Sequence, residues 1–219
     1  MGTRVLRTAD VKTPREAWAI FSRKRAPRMI GVAIVLAAAA RIAIGDFSWR
    51  DLAAIAFMAV VYPFGEWAIH VHLLHSKVDL PSTVSHREHH EDPGRLDLIN
   101  FGPLEALAIL LLAAPVAVAI GAGLAALIPG PLPVGPLVTM LLTAYVLIGF
   151  YEWIHFLIHT AHRPRSAWYR SIWRNHRLHH FKNEHYWHGI TNTIADRALG
   201  TNPDQRDIQR SRTARALHS

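Results

Sequence analysis

The sequence predicts an all-α integral membrane protein, with four transmembrane helices in two hairpins and a helical, histidine-rich cap on the cytoplasmic side. Three observations predict it. Of 219 residues, 51% are hydrophobic and 18% charged, well under the roughly 25% charge of an average soluble domain. The apolar residues gather into four long stretches, each near the roughly 20 residues a helix needs to cross a bilayer. The Lys and Arg residues concentrate in the segments that one face of a four-crossing chain would carry. So apolar a chain cannot be disordered. A soluble bundle would need polar stripes at helical spacing, which the third and fourth stretches almost lack.

Residues 1–28 hold eight Lys/Arg against Asp10 and Glu16, a basic cytoplasmic-type flank. The first span runs from Met29 to Gly45, apolar except for Arg41, which is expected to snorkel to the interface from near the helix end. Its long polar lead-in fits an uncleaved anchor better than a signal peptide. The second span covers Leu52–Leu74 after the turn Ser48-Trp49-Arg50-Asp51, the third Leu104–Ile128 and the fourth Pro136–Ala161, the last two joined by the Pro/Gly-rich link 129–135. The two short loops carry one Lys/Arg, Arg50, whereas residues 76–100 carry three and residues from 163 onward eleven. That asymmetry puts the long segments and both termini in the cytoplasm. From about Asn202 the chain is polar and aperiodic, and residues 205–219 are expected to form a basic flexible tail.

Fifteen histidines and no cysteine define the candidate chemistry. The missing thiols exclude a disulfide scaffold, a thiolate-held iron–sulfur cluster, a cysteine-ligated haem and a Cys-rich zinc finger, so any metal must be held by nitrogen and oxygen. Six histidines fall between 70 and 90, eight between 155 and 188, and none between 91 and 154. The two blocks begin at the C-terminal ends of spans two and four. In an up-down-up-down chain both ends emerge on one face, so fourteen imidazoles converge.

Their spacing is that of chelation: His155 with His159, His86 with His89 and His90, and His176 with His179 and His180 are three or four residues apart. His70 and His75 are five apart, which requires a helix end or a local distortion to bring both rings to one ion. Ten imidazoles exceed what one tetrahedral ion can use, so two metals are implied. Imidazole suits iron, zinc, copper and nickel, and a nitrogen-rich site with open positions is compatible with non-haem Fe(II). The order of residues in His86-Arg87-Glu88-His89-His90 is wrong for the H-E-x-x-H of zinc proteases. Only Glu152-Trp-Ile-His155 has the Glu-x-x-His spacing of soluble di-iron bundles, and it has no partner pair. Glu66 and Glu152 read better as anions that orient imidazoles and offset metal charge. His72, His162, His185 and His188 stay unassigned, and His218 reads as a surface residue.

The four histidine sets resemble the fatty acid hydroxylase and sterol desaturase superfamily of integral-membrane di-iron oxygenases. The match runs from Glu66 to about Asp204 and is densest in Tyr151–His159 and Asn175–Asn183, followed by Gly189-Ile-Thr and the stretch Asp196 through Gly200-Thr201. Carried over by position, the resemblance makes His70, His75, His86, His89, His90, His155, His159, His176, His179 and His180 the metal ligands. It also implies a catalytic domain over residues 29–204, two irons that zinc could replace, dioxygen, and a lipid substrate that is hydroxylated or dehydrogenated. Glu152 stands where many relatives have aspartate. No fused haem-binding donor domain is visible, so electrons are expected from a separate ferredoxin-like carrier and its reductase. The basic stretch from Arg163 onward, with a net charge of +7, is expected to meet anionic headgroups and an acidic carrier; no nucleic-acid motif accompanies it.

The expected activity is O2-dependent hydroxylation of a fatty acyl chain. A lipid entering between spans would lie along apolar walls such as Phe64, Trp67, Phe150 and Trp153, while Trp67 and Trp153, taken singly, read better as an interfacial aromatic belt. A carotenoid ring hydroxylase and a sterol desaturase are the rival enzymes. The third set in carotenoid hydroxylases is typically longer than the His155/His159 spacing here. A histidine-rich metal transporter or sensor is the non-enzymatic rival, but a transporter would place ionisable groups near the bilayer midplane, where spans three and four are clean.

Overall fold

Local chemistry sets the helix starts. In the computed structural model, which describes residues 6–127 and 134–217, α1 (Pro14–Phe21) opens on a capping box: the Glu16 amide donates to Thr13 Oγ1 and the Thr13 amide to the Glu16 carboxylate, both at 3.2 Å. Next come α2 (Arg25–Ile44) and α3 (Trp49–Ala68), the latter running on into a π-helical turn, Ile69–Leu74. Proline at the first helical position starts α4 (Pro81–Glu91) and α5 (Pro103–Leu127). The chain continues through α6 (Val134–His159), α7 (Ala167–Phe181), whose Ser166 cap accepts from the Tyr169 amide, and α8 (Ile194–Ala198). His218 and most of the Pro/Gly link lie outside the described residues.

Among the described residues four helices are long and apolar enough to cross a membrane: Arg25–Ile44, Trp49–Leu74, Pro103–Leu124 and Val134–His159. Large apolar side chains stand outward on them, Ile42 at 71% and Leu104 at 75% exposure among them. Water would not tolerate that coat, whereas lipid solvates it. The protein is an integral, multi-pass, all-α membrane protein.

The chain divides into two compact units. One holds the described residues of Lys24–Tyr62 and Pro103–Phe150. Within it α2 packs on α5, and Ala54, Ala117 and Met140 form a small core shared by α3, α5 and α6. Gly149 permits close approach, since a Cβ there would stand 3.3 Å from Ile30 Cγ2. Arg41 does not snorkel as expected: it is 3% exposed and pairs with Asp51 at 2.7 Å, while its Nε donates to Thr139 Oγ1 at 2.8 Å. An acidic partner at the start of α3 and a hydroxyl on α6 are within reach, so the guanidinium is paired inside the protein.

The other unit holds the described residues of Met1–Arg23, Pro63–Gly102 and Tyr151–Ser219. Val11, Ala17 and Phe21 are buried there against Ile154, Phe156, Ile158, Ile172 and Ile190, so the basic N-terminal segment is also core-forming. Trp153 belongs to this core, with ring centroids 5.2 Å from Trp18 and 5.3 Å from Phe21. Trp67 donates its Nε1–H to Thr201 Oγ1 at 2.9 Å. Both tryptophans thus serve packing inside the unit. Residues 205–217, expected to be loosely ordered, also pack: Ala214 and Leu217 are each 2% exposed, and the Ser211 amide donates to the Lys182 carbonyl at 2.8 Å. Two buried apolar anchors, Ala214 and Leu217, dock a segment that shows no periodicity.

Candidate metal centre

The structure brings together all ten histidines of the four sets, in two groups of five. His70, His75, His86, His90 and His179 form the first group; His89, His155, His159, His176 and His180 form the second. In each, one nitrogen per ring lies within 4.8 Å of every other. Each group can coordinate a metal ion.

Helix geometry explains the partition. Residues at i and i+4 share a face, whereas i+3 and i+4 are one residue apart and differ by about 100° around the axis. On α4, His86 and His90 therefore serve the first group while His89 turns to the second. On α7 the roles are exchanged: His176 and His180 enter the second group and His179 the first. α6 contributes its i, i+4 pair His155 and His159 to the second group. The five-residue step from His70 to His75 is absorbed by the π turn, in which the His75 amide donates to the His70 carbonyl at 3.1 Å. Of the two remedies the spacing allows, a helix end or a distortion, the i→i+5 turn is the second.

The donor atoms fit metal ions. In the first group Nε2 of His70, His86, His90 and His179 is buried with no hydrogen-bond partner among the described residues. Four orphaned lone-pair sites facing one point would be costly without an ion to receive them. In the second group Nε2 of His176 lies 3.1 Å from that of His155, 2.8 Å from that of His159 and 3.0 Å from that of His180, and His89 Nε2 lies 3.1 Å from His159 Nε2. Two imidazole nitrogens each about 2.1 Å from one ion and at right angles stand about 3.0 Å apart. The rings are also kept neutral, as ligation demands. Burial first, then neighbouring imidazoles, holds His75, His86, His89, His176, His179 and His180 well below the ordinary histidine value. Burial lowers His90 to about 4.

Backbone carbonyls orient the first group. Nδ1 of His70 meets the His188 carbonyl at 2.7 Å, Nδ1 of His179 the Tyr186 carbonyl at 2.8 Å, and Nδ1 of His90 the Ala214 carbonyl at 3.1 Å. A carbonyl only accepts, so each Nδ1 carries the proton and each Nε2 presents its lone pair inward. Two of these carbonyls belong to the loop 186–191, and that loop is pinned by two buried acids. Asp196, fully buried, accepts the amides of His188 at 3.0 Å and Gly189 at 2.7 Å. Glu66 accepts the amides of Ile190 at 2.6 Å and Thr191 at 3.0 Å and also the Thr191 hydroxyl. Glu66 thus acts on His70 through the loop that carries His188. At Gly189 a Cβ would fall 2.0 Å from the Asn192 carbonyl oxygen, so no other residue fits. Glu152, also buried, accepts the Phe101 amide at 3.2 Å.

Asp196 and the carbonyls of Tyr186, His188 and Ala214 were missed as site residues. The Gly189-Ile-Thr and Asp196–Thr201 stretches were the available signal for the first three; nothing in the sequence marks Ala214. Of the unassigned histidines, His188 is buried beside the first group with its ring centroid 5.2 Å from that of His179, His162 stacks on Tyr169, and His72 and His185 are exposed. A crevice of about 20 Å³ borders both groups, touching His86, His89 and His155, with Leu98, Phe101 and Tyr151 among its walls.

Comparison with known proteins agrees with this geometry. A search of curated proteins and a search of solved structures each found no match. The family model described as fatty acid hydroxylase matches residues 55–201, about two thirds of the chain, a range that includes all ten clustered histidines. The chain therefore belongs to the fatty acid hydroxylase family, within the superfamily that includes the sterol desaturases.

Proposed function

We propose that this protein is an O2-dependent di-iron lipid hydroxylase that inserts oxygen into a C–H bond of a fatty acyl chain, with the ten clustered imidazoles as its ligands. The observation that carries this reading is the pair of adjoining five-imidazole groups with inward, neutral Nε2 atoms. Two irons bound there supply an oxidant for unactivated C–H bonds, chemistry that side chains lack. Zinc can occupy the same nitrogen-rich pockets without supplying it.

The chain's own residues do the rest. The carbonyls of His188, Tyr186 and Ala214 hold ring tautomers, and Glu66 and Asp196 hold the loop that presents two of them. The crevice shared by both groups is where the target carbon is presented. At about 20 Å³ it has room for little more than one water-sized molecule, so the acyl chain must displace wall residues such as Leu98 and Phe101 to enter. The short His155/His159 spacing favours an acyl over a carotenoid substrate. In this reading the Lys/Arg asymmetry puts the basic segments, the termini and both histidine groups on the cytoplasmic side, where exposed Arg170, Arg174 and Arg177 of α7 offer a docking face to an acidic, ferredoxin-like carrier served by its own reductase.

Expression in a host of defined lipid content tests the reading. Mass spectrometry is expected to show a lipid heavier by one oxygen atom, absent with His89→Ala and with His179→Ala. A protein that binds two metal ions but yields no oxidised lipid would overturn the enzymatic reading in favour of a metal transporter or sensor. Reduction by the carrier should slow as ionic strength rises; a rate indifferent to salt removes the docking face.

A further inference from the structure

Residues Ser211–Leu217 run across the first histidine group, and every anchor of this segment is specific. The Ser211 and Thr213 hydroxyls both donate to Glu184 Oε1, at 2.9 and 2.5 Å. Glu184 is itself 2% exposed; burial opposes its ionisation, but the two hydroxyls and its own backbone outweigh that and hold the carboxyl below its ordinary value. Arg215 donates to the Glu91 carbonyl at the end of α4, one residue past His90. Leu217 is buried and, with Thr213, walls a cleft of about 320 Å³ that reaches His75. Between these anchors the Ala214 carbonyl accepts a hydrogen bond from His90 Nδ1 at 3.1 Å.

The rings of the second group are tied differently. Its His159 hydrogen-bonds the Pro93 carbonyl, while Nδ1 of His89, His176 and His180 is buried with no hydrogen-bond partner among the described residues. The hydrogen bonds of Ser211, Thr213, Ala214 and Arg215 given above go to Glu184, His90 and Glu91, none of which belongs to the second group. One segment therefore acts on one metal position.

We propose that Ser211–Leu217 is a strap that positions His90 as a ligand of the first metal ion alone, so that loosening it weakens one of the two ions and leaves the other. The inference rests on the di-iron reading. Ala214 acts through its carbonyl and is a positioning residue; Ser211, Thr213 and Leu217 hold that carbonyl in place. Loss of such an outer hydrogen bond commonly lowers metal affinity 10–100-fold.

The experiment loads the full chain with ferrous iron, and separately with zinc, and counts ions retained against a graded chelator. The unaltered chain is expected to hold two. The chain carrying Ser211→Ala with Thr213→Val is expected to hold one ion as before and the other 10–100-fold more weakly, and Leu217→Asp to do so more severely. The ion retained reports that α4, α6 and α7 are still assembled. Thr213→Ser, which keeps the hydroxyl, should match the unaltered chain. In a chain that already carries His90→Ala, adding Ser211→Ala with Thr213→Val should weaken neither ion further, whereas adding His159→Ala to the double variant should weaken the second ion as well. If the double variant holds both ions unchanged, or weakens both equally, the strap is overturned while the di-iron reading stands. An unaltered chain that holds fewer than two ions overturns the di-iron reading and the strap with it.

Discussion

Both units bury polar side chains, and they satisfy them in opposite ways. In the membrane-span unit Arg41, Asp51 and Thr139 are buried and partner one another: Arg41 pairs with Asp51, and the Thr139 hydroxyl donates to Asp51 at 2.5 Å. In the histidine unit ten imidazoles are buried or half-buried, and their outer nitrogens are partly tied while their inner nitrogens face one another. A closed cluster ends in itself and is structural; a cluster left open on its inner side needs a ligand. The cost of burial is similar in kind, since an unsatisfied buried polar group is expensive in either place. Only the second arrangement is explained by something that binds.

Variants can break or sharpen this contrast. The largest effect is expected from opening either histidine group: His86→Ala and His176→Ala should each halve the bound metal and lower lipid oxidation at least ~100-fold, read by metal analysis and product mass spectrometry. Arg41→Ala should destabilise the protein by about 3–5 kcal/mol in detergent unfolding, because Asp51 is left buried without its cation, yet leave two ions bound. Glu66→Ala should cost about 1–3 kcal/mol by stranding the Ile190 and Thr191 amides, and it should loosen the first ion before the second.

Acid should act more gently. The clustered histidines outside the spans titrate near the ordinary value of 6.5 when unfolded but far lower when folded, His90 at about 4. The unfolded chain then binds more protons, so the stability of the metal-free protein should be full above pH 6.5 and fall as pH is lowered through 6.5 towards 4. Melting curves at pH 7.5 and 5.5 check the sign; an unchanged or higher midpoint at pH 5.5 would contradict it. The smallest effect is expected from replacing the closed cluster whole: Arg41→Met, Asp51→Leu and Thr139→Val together should be close to neutral in stability and keep both ions. No apolar replacement of a histidine group should be silent in this way.

How much of this was legible residue by residue is uneven. The spans were readable to within a few residues, because a bilayer demands an apolar run of fixed length and little else does. The need for a helix end or a distortion between His70 and His75 was readable too, since five residues do not fit an α-helical face, and the π turn decides between them. Arg41 was misread because a cation near a span end has two remedies, lipid headgroups or a buried acid, and only Asp51 in place decides between them. The aperiodic segment after Asn202 was misread for a related reason. Ala214 matters through a carbonyl, which every residue has, and no side-chain pattern advertises it.

The sequence by itself determined the all-α membrane class, the four spans and the ten clustered imidazoles, because length, apolarity and i, i+4 spacing are local properties. Only the tertiary structure decided which imidazole joins which group, and which carbonyl holds each ring. Those assignments depend on how α4 and α7 are turned and on where the loop 186–191 and the segment 211–217 pass, and contacts between residues far apart in the chain leave no local spacing to read.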